Sequence, residues 1–417
     1  MNVKLNDSVW QKILVYVPAI KLLRVREVSK ELNRQVETVI KNYDVWKMIC
    51  SDDKIAPWVH KILELIGAYQ LIPAIEDLEA EIWKQIFYSF KKWRFCANYT
   101  SEIGEFLIIE STDKSIVSCD VYGHHLAIGT TQGTVNIFHI SSDEFELISD
   151  FRHYSIAIKD LKFWHTGDLL LLIIIHDNND MISWNVDKND QFLLSESTNP
   201  KFSMVRRGTR HQIILNDSNK FQKSKTEGDK ILTKFFRINV LDGENNSHSV
   251  EDFCDANNQI TILALSDDKI IIETFPGNSR EEFNVKKKLY TSQVITYIPI
   301  TNLVFVIDDT ILYISTINDL NQWETKEHIL TESFKKNISS IVMHSNVIFF
   351  GTKNGKIYIF PTVSIQQLQK CQLCYLPYKK LTICNNPIIK LNVTEINDEI
   401  LIVAVTATKI FTINWYN

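Results

Sequence analysis

One segment occurs twice in this chain, and its repetition limits the fold more than any other feature. Ala127-Ile-Gly-Thr-Thr-Gln-Gly-Thr-Val-Asn-Ile-Phe138 matches Phe349-Phe-Gly-Thr-Lys-Asn-Gly-Lys-Ile-Tyr-Ile-Phe360. Both read Gly-Thr-x-x-Gly-x-Val/Ile-x-Ile-Phe. The spelling is that of a strand, a tight turn and a second strand. Apolar runs flank Gln-Gly or Asn-Gly, where glycine reaches positive φ without steric cost. The copies lie 222 positions apart, from Gly129 to Gly351. Five periods of about 44 residues fill that gap, inside the range of about 40–45 residues for a repeated four-stranded unit.

From Thr100 onward the chain keeps this grammar. Short runs of Ile, Val, Phe and Thr alternate with Gly, Asn and Asp, as strands and turns do. Weaker copies fall in phase at Ile158–Val186, Met204–Val240, Phe253–Phe275, Val294–Ile317, Ile341–Val363 and Pro387–Trp415. With the unit around Ala127 they make seven. Seven units need roughly 308 positions, and Glu105 to Asn417 supplies 313. A lone strand, 105–110, precedes the first unit. The expectation is a ring in which this strand completes the last blade and removes free sheet edges. The pattern resembles WD repeats, which implies an all-β, seven-bladed WD-repeat-like propeller over residues 101–417. The resemblance is degenerate. Trp184-Asn185 is the nearest approach to a Trp-Asp pair, while Phe138-His139, Phe236-Arg237 and Phe360-Pro361 stand at equivalent strand ends. Gly123-His124 lies inside the first unit rather than opening it.

The first hundred residues follow a different period. Asn6 and Asp7 are N-cap types, and Val9, Ile13 and Val17 then recur every four residues on one helix face. Pro18 ends that helix, since it lacks an amide hydrogen. Leu22, Leu23, Val25 and Val28 give a second helix a broad apolar surface, and a third runs from Lys30 to Ile40. So small a packet buries little by itself, so some of these side chains are expected to face a partner. Leu5, Pro18, Leu22, Leu23, Val28, Ser29 and Lys30 resemble the F-box pattern, with Asn6 in place of the usual opening proline and Leu32 in place of a tryptophan. The resemblance implies an F-box domain over residues 1–50 that binds a Skp-type adaptor through Leu5, Val9, Ile13, Val17, Pro18, Leu22, Leu23, Val25 and Val28. The alternative is a helical bundle that packs only on its own chain. Residues 51–100 continue as amphipathic helix. Trp83-Lys-Gln-Ile-Phe87, Trp93 and Asn98-Tyr99-Thr100 are similar to the helical connector of F-box/WD-repeat proteins.

Chemistry-bearing motifs are sparse. There is no phosphate-cradling glycine pattern, no H-E-x-x-H and no EF-hand spacing. Cys371-x-x-Cys374 with Cys384 lacks the second close pair of a structural zinc site, so ordinary thiols are expected and no metal or cofactor. His124, His125, His153, His165 and His176 are scattered over different units and are expected to bond within blades. Arg206, Arg207 and Arg210 form the densest arginine group of the β region. Arginine forks suit phosphate and carboxylate, so they are candidate substrate contacts, the alternative being a solvated turn. Seven scattered cysteines argue for a reducing compartment rather than a disulfide framework. The net charge of −5 provides no general field for nucleic acid. The longest apolar run, Leu169–Ile175, is far short of the ~20 residues that span a bilayer. With no signal-peptide pattern, a soluble cytoplasmic or nuclear protein is expected.

The combined resemblance implies a non-catalytic substrate-recognition subunit of an SCF-type ubiquitin ligase. Its partners would be the adaptor, through it cullin and RING subunits, and a target protein held by the propeller. A non-degradative interaction scaffold is the competing expectation.

Overall fold

In the computed structural model, the described residues are 7–17, 19–42, 44–51, 55–68, 75, 77–107, 114–141, 144–152, 155–166, 169–192, 338–361 and 376–416, together with the strand backbones between 202 and 329. Six α-helices stand among them: α1 (Asp7–Leu14), α2 (Ala19–Val25), α3 (Lys30–Asn42), α4 (Val45–Cys50), α5 (Val59–Leu65) and α6 (Ala80–Phe95). Ser29 starts α3 as its periodicity demands, its hydroxyl accepting the Leu32 amide at 3.1 Å.

Beyond α6 and a 3-10 turn at Cys96–Asn98, the regular elements among the described residues are strands. After β1 (Thr100–Leu107) come β2 (Ile116–Tyr122), β3 (His125–Thr130), β4 (Thr134–Ile140) and β5 (Phe145–Arg152). Next are β6 (Ile158–Thr166), β7 (Leu169–His176), β8 (Met181–Asn185) and β9 (Asp190–Phe192). Then follow β10 (Phe202–Arg207), β11 (Gln212–Asn216), β12 (Lys220–Glu227) and β13 (Lys230–Arg237). The chain continues with β14 (Ser249–Ala256), β15 (Gln259–Ser266), β16 (Lys269–Phe275) and β17 (Ser279–Asn284). After these run β18 (Val294–Ile298), β19 (Leu303–Asp308), β20 (Ile311–Thr316) and β21 (Glu327–Ile329). The last strands are β22 (Ile338–His344), β23 (Val347–Thr352), β24 (Lys356–Pro361), β25 (Lys379–Thr382), β26 (Lys390–Ile396), β27 (Glu399–Val405) and β28 (Lys409–Tyr416). They pair into seven antiparallel four-stranded sheets, six of them consecutive meanders. The other has the order β1-β28-β27-β26, so an early strand completes a late sheet. That strand starts sooner than the sequence suggests, pairing Thr100 with Tyr416 and Leu107 with Lys409; residues 108–110 lie outside the described set.

Four sheets are described with their side chains, and they follow one another: β22–β25, then β26–β28 with β1, then β2–β5, then β6–β9. Each is apolar on both faces. Along β27, Ile400, Ile402 and Ala404 pack towards Phe349 and Ile359 of the preceding sheet. Leu401, Val403 and Val405 pack towards Ile128 and Phe138 of the following one. Strand pleating sends alternate side chains to opposite faces, so a strand between two neighbours must be apolar throughout. The run Leu169–Ile175 is β7, with Leu170, Leu172 and Ile174 in one cluster and Leu171, Ile173 and Ile175 in another.

The expected fold class is corrected. The propeller-like packing that side chains describe consists of four small sheets, not seven WD-repeat-like blades; the other three sheets are described as backbone ladders, with Leu303 and Phe305 as their described side chains. Repeat spacing fixes where strands fall but carries no information on how their faces pack. One apolar cluster runs from Leu14, Leu22, Val36 and Trp46 through Trp58 and Phe87 to Phe350 and Phe360. The first three helices pack on one another and on α4, and α5 and α6 carry the cluster on to the sheets.

Candidate protein-interaction surfaces

The helical face singled out by sequence divides into two. Leu22 is 1% exposed and belongs to the main core. Val17, Leu23 and Val25 are half-buried against the same cluster. These four take part in the chain's own packing. Val9, Ile13 and Val28 remain outside, Ile13 at 45% and Val28 at 71% exposure. Val15 and Tyr16, the latter 89% exposed, extend the apolar surface past the end of α1. They went unnoticed because they fall outside the four-residue spacing. Leu5 and Pro18 lie outside the described residues. Ion pairs rim this region: Arg34 meets Asp7 at 2.9 Å and Glu31 at 2.7 Å, and Arg26 meets Glu37 at 3.2 Å. Those two carboxylates raise the Arg34 guanidinium above its usual value. An open cleft of about 670 Å³ lies between α3, α4 and α6, with Arg26, Arg34, Lys41, Lys84, Glu37 and Glu81 along it and Trp46 among its walls.

The joint between helices and sheets is the most polar buried region described. It is built on two two-residue hairpin turns. Ser345-Asn346 links β22 to β23, and Asn397-Asp398 links β26 to β27. All four residues have positive φ, between 48° and 64°, as such turns require. Trp58 Nε1 donates to Asn346 Oδ1 at 3.2 Å. On α6, Trp93 Nε1 donates to Glu395 Oε1 at 2.6 Å, and the Ser89 hydroxyl donates to the same oxygen. Lys92 Nζ lies 3.8 Å from Glu395 Oε2. The His344 ring is edge-on to Trp58 and Trp93, with centroids 5.5 and 4.8 Å away. Burial pushes the Glu395 carboxyl above its ordinary value, opposed by the Ser89, Lys92 and Trp93 contacts. Burial, helped by Lys61, holds His344 well below its own.

Other sequence candidates are dispersed. Arg206 and Arg207 sit in β10 opposite Ile213 and Gln212; their side chains, and Arg210 altogether, lie outside the described residues. So do Cys371, Cys374 and His153. His124 and His125 gather around His139 at one end of the β2–β4 sheet, whereas His165 stacks on Tyr122. His176 is buried, with Nδ1 3.2 Å from the Ile156 carbonyl. No cluster of three or more metal-ligating side chains occurs among the described residues. Cys50, Cys96 and Cys119 are free and buried, and burial pushes their thiols up to about 12, about 12 and about 11. Groups so rarely ionised are poor nucleophiles. No described helix is long and apolar enough to cross a membrane.

No protein-family model matches the chain, and no curated protein matches it. Among solved structures, the computationally designed Ika8 protein aligns with a TM-score of 0.49 at 12% identity, over 75% of this chain and 100% of that one.

Proposed function

We propose that this chain is a substrate-recognition subunit of an SCF-type ubiquitin ligase. The α1–α3 segment binds a Skp-type adaptor, and through it cullin and RING subunits, while the propeller-like sheets hold a target protein. The observation that carries this reading is the apolar surface left outside the core in the F-box-like segment: Val9, Ile13, Val15, Tyr16 and Val28. A contiguous exposed apolar patch marks an interaction site, and Tyr16 within it is of a residue type that often anchors binding energy. The chain then acts by proximity, raising the effective concentration of the target beside the charged conjugating enzyme, with no reacting side chain of its own. Arg206, Arg207 and Arg210 are the proposed contacts to an acidic or phosphorylated target segment. Work in cytoplasm or nucleus follows from that role.

The test is co-purification of the full chain with the adaptor. An Ile13→Asp/Val28→Asp variant alters exposed positions and should fold normally. An aspartate at each of two contact positions, costing about 2 kcal/mol apiece, should weaken adaptor binding by roughly a thousandfold. Leu22→Asp is unsuitable, because a core position would unfold the helices. Equal adaptor recovery with and without the double substitution would sink the ligase reading and leave the sheets as a non-degradative interaction scaffold.

A further inference from the structure

Glu395 and His344 are unusual occupants of a packed joint. Glu395 is 3% exposed, and its Oε2 has no hydrogen-bond partner. His344 is fully buried, and neither ring nitrogen has a partner. Two bonds converge on Glu395 Oε1 alone, from Ser89 and Trp93. An ionised carboxylate here would keep one oxygen unsolvated, with its ammonium at 3.8 Å, beyond hydrogen-bond reach. A neutral carboxylic acid would keep both bonds to Oε1 and bury no charge. A charged imidazolium would likewise bury two N–H donors with an acceptor for neither.

We propose that the helix–sheet joint is a proton-dependent dock, closed when Glu395 is a neutral acid and His344 a neutral imidazole, and loosened when either becomes charged. Glu395 is then a positioning residue for α6. The charged groups around it are Lys92 of α6 and Asp398 of the β26–β27 turn. Around His344 they are Lys61 of α5, itself paired with Glu64 at 2.8 Å. The dock does not depend on which partner the helices bind.

The two groups act on opposite sides of pH. A carboxyl raised by folding binds more protons in the folded state, so stability falls as pH rises from its ordinary value of 4.5 through the raised one. An imidazole lowered by folding binds fewer, so stability falls as pH drops below 6.5. Hydrogen exchange of α6 amides in the full chain, corrected for intrinsic rate and referenced to β7, reads the dock directly. Wild-type protection of α6 should fall at least tenfold on the alkaline side, relative to β7. Glu395→Gln, which keeps an acceptor for Ser89 and Trp93, should abolish that loss. His344→Phe should abolish the acid-side loss. Lys92→Met provides a second arm should Glu395→Gln not fold: it removes the Lys92 bond to the Asp398 carbonyl and so lowers α6 protection by a similar factor at each pH, while the alkaline loss, which belongs to Glu395, should persist. An alkaline loss that persists in Glu395→Gln or vanishes in Lys92→Met, or a flat wild-type profile, would overturn the dock and leave an ordinary buried ion pair.

Discussion

Two glycines in the repeated segment do different work. Gly133 and Gly355 have φ of 75° and 69° and form the tight turns. The threonine three residues before each braces its turn: Thr130 and Thr352 accept the amides of Thr134 and Lys356 at 3.1 and 2.9 Å. Gly129 and Gly351 have no such backbone need. A Cβ on Gly129 would stand 2.6 Å from Ile158 Cγ2, and one on Gly351 2.9 Å from Ile388 Cγ2. The next sheet packs directly on those positions. Gly129→Ala and Gly351→Ala should therefore each cost about 1–3 kcal/mol by overpacking, seen as a lower urea midpoint at unchanged slope. The turn glycines were legible in the sequence, because Gln-Gly and Asn-Gly carry a local signal. The close-approach glycines were spelled out but had no local reason, since their neighbours are 29 and 37 positions away.

At the scale of elements, strands are tied across sheets by buried polar pairs as well as apolar faces. Asp120 of β2 accepts from Lys162 Nζ at 2.7 Å and from the Phe163 amide at 2.9 Å, both on β6. Both side chains are largely buried. Removing one partner of such a pair leaves an uncompensated charge. Asp120→Ala should thus cost about 3–5 kcal/mol in equilibrium unfolding, while the double variant Asp120→Ala/Lys162→Met should recover part of that loss. Among the helices, periodicity located α1, α2 and α3 but carries no information on which apolar positions the fold covers. Ile13 and Leu22 look alike as apolar positions on neighbouring helices. One faces solvent and the other lies in the core, because the packing of α2 on α3 and α4 decides which side is covered. Ser89 shows the same limit: an unremarkable serine in an amphipathic helix turns out to bond a buried carboxylate 306 positions away.

For the whole molecule, the sheet that contains both β1 and β28 joins distant parts of the chain. Lys409 also reaches Glu105 across that pairing. Deleting residues 409–417 would remove Trp415 and Phe411 from the core and bare the edges of β1 and β27. Unpaired edges template association. The truncated chain should lose cooperative unfolding and scatter light at concentrations where the full chain does not; a monodisperse, cooperatively unfolding truncation would refute this importance of closure.

The sequence alone determined the local grammar: helical periods before Thr100, strand-and-turn units after it, and the turns where glycine is needed. These depend on neighbours within a few positions, where backbone sterics and side-chain period act directly. Which apolar faces are covered and why Glu395 and His344 are enclosed were decided by tertiary structure. Each depends on groups brought together from hundreds of positions apart. Burial, and the electrostatics that burial controls, belongs to the assembled neighbourhood and not to the residue. The repeated segment thus announces its hairpins unaided, whereas the dock beneath the helices exists only once the two turns and α6 have met.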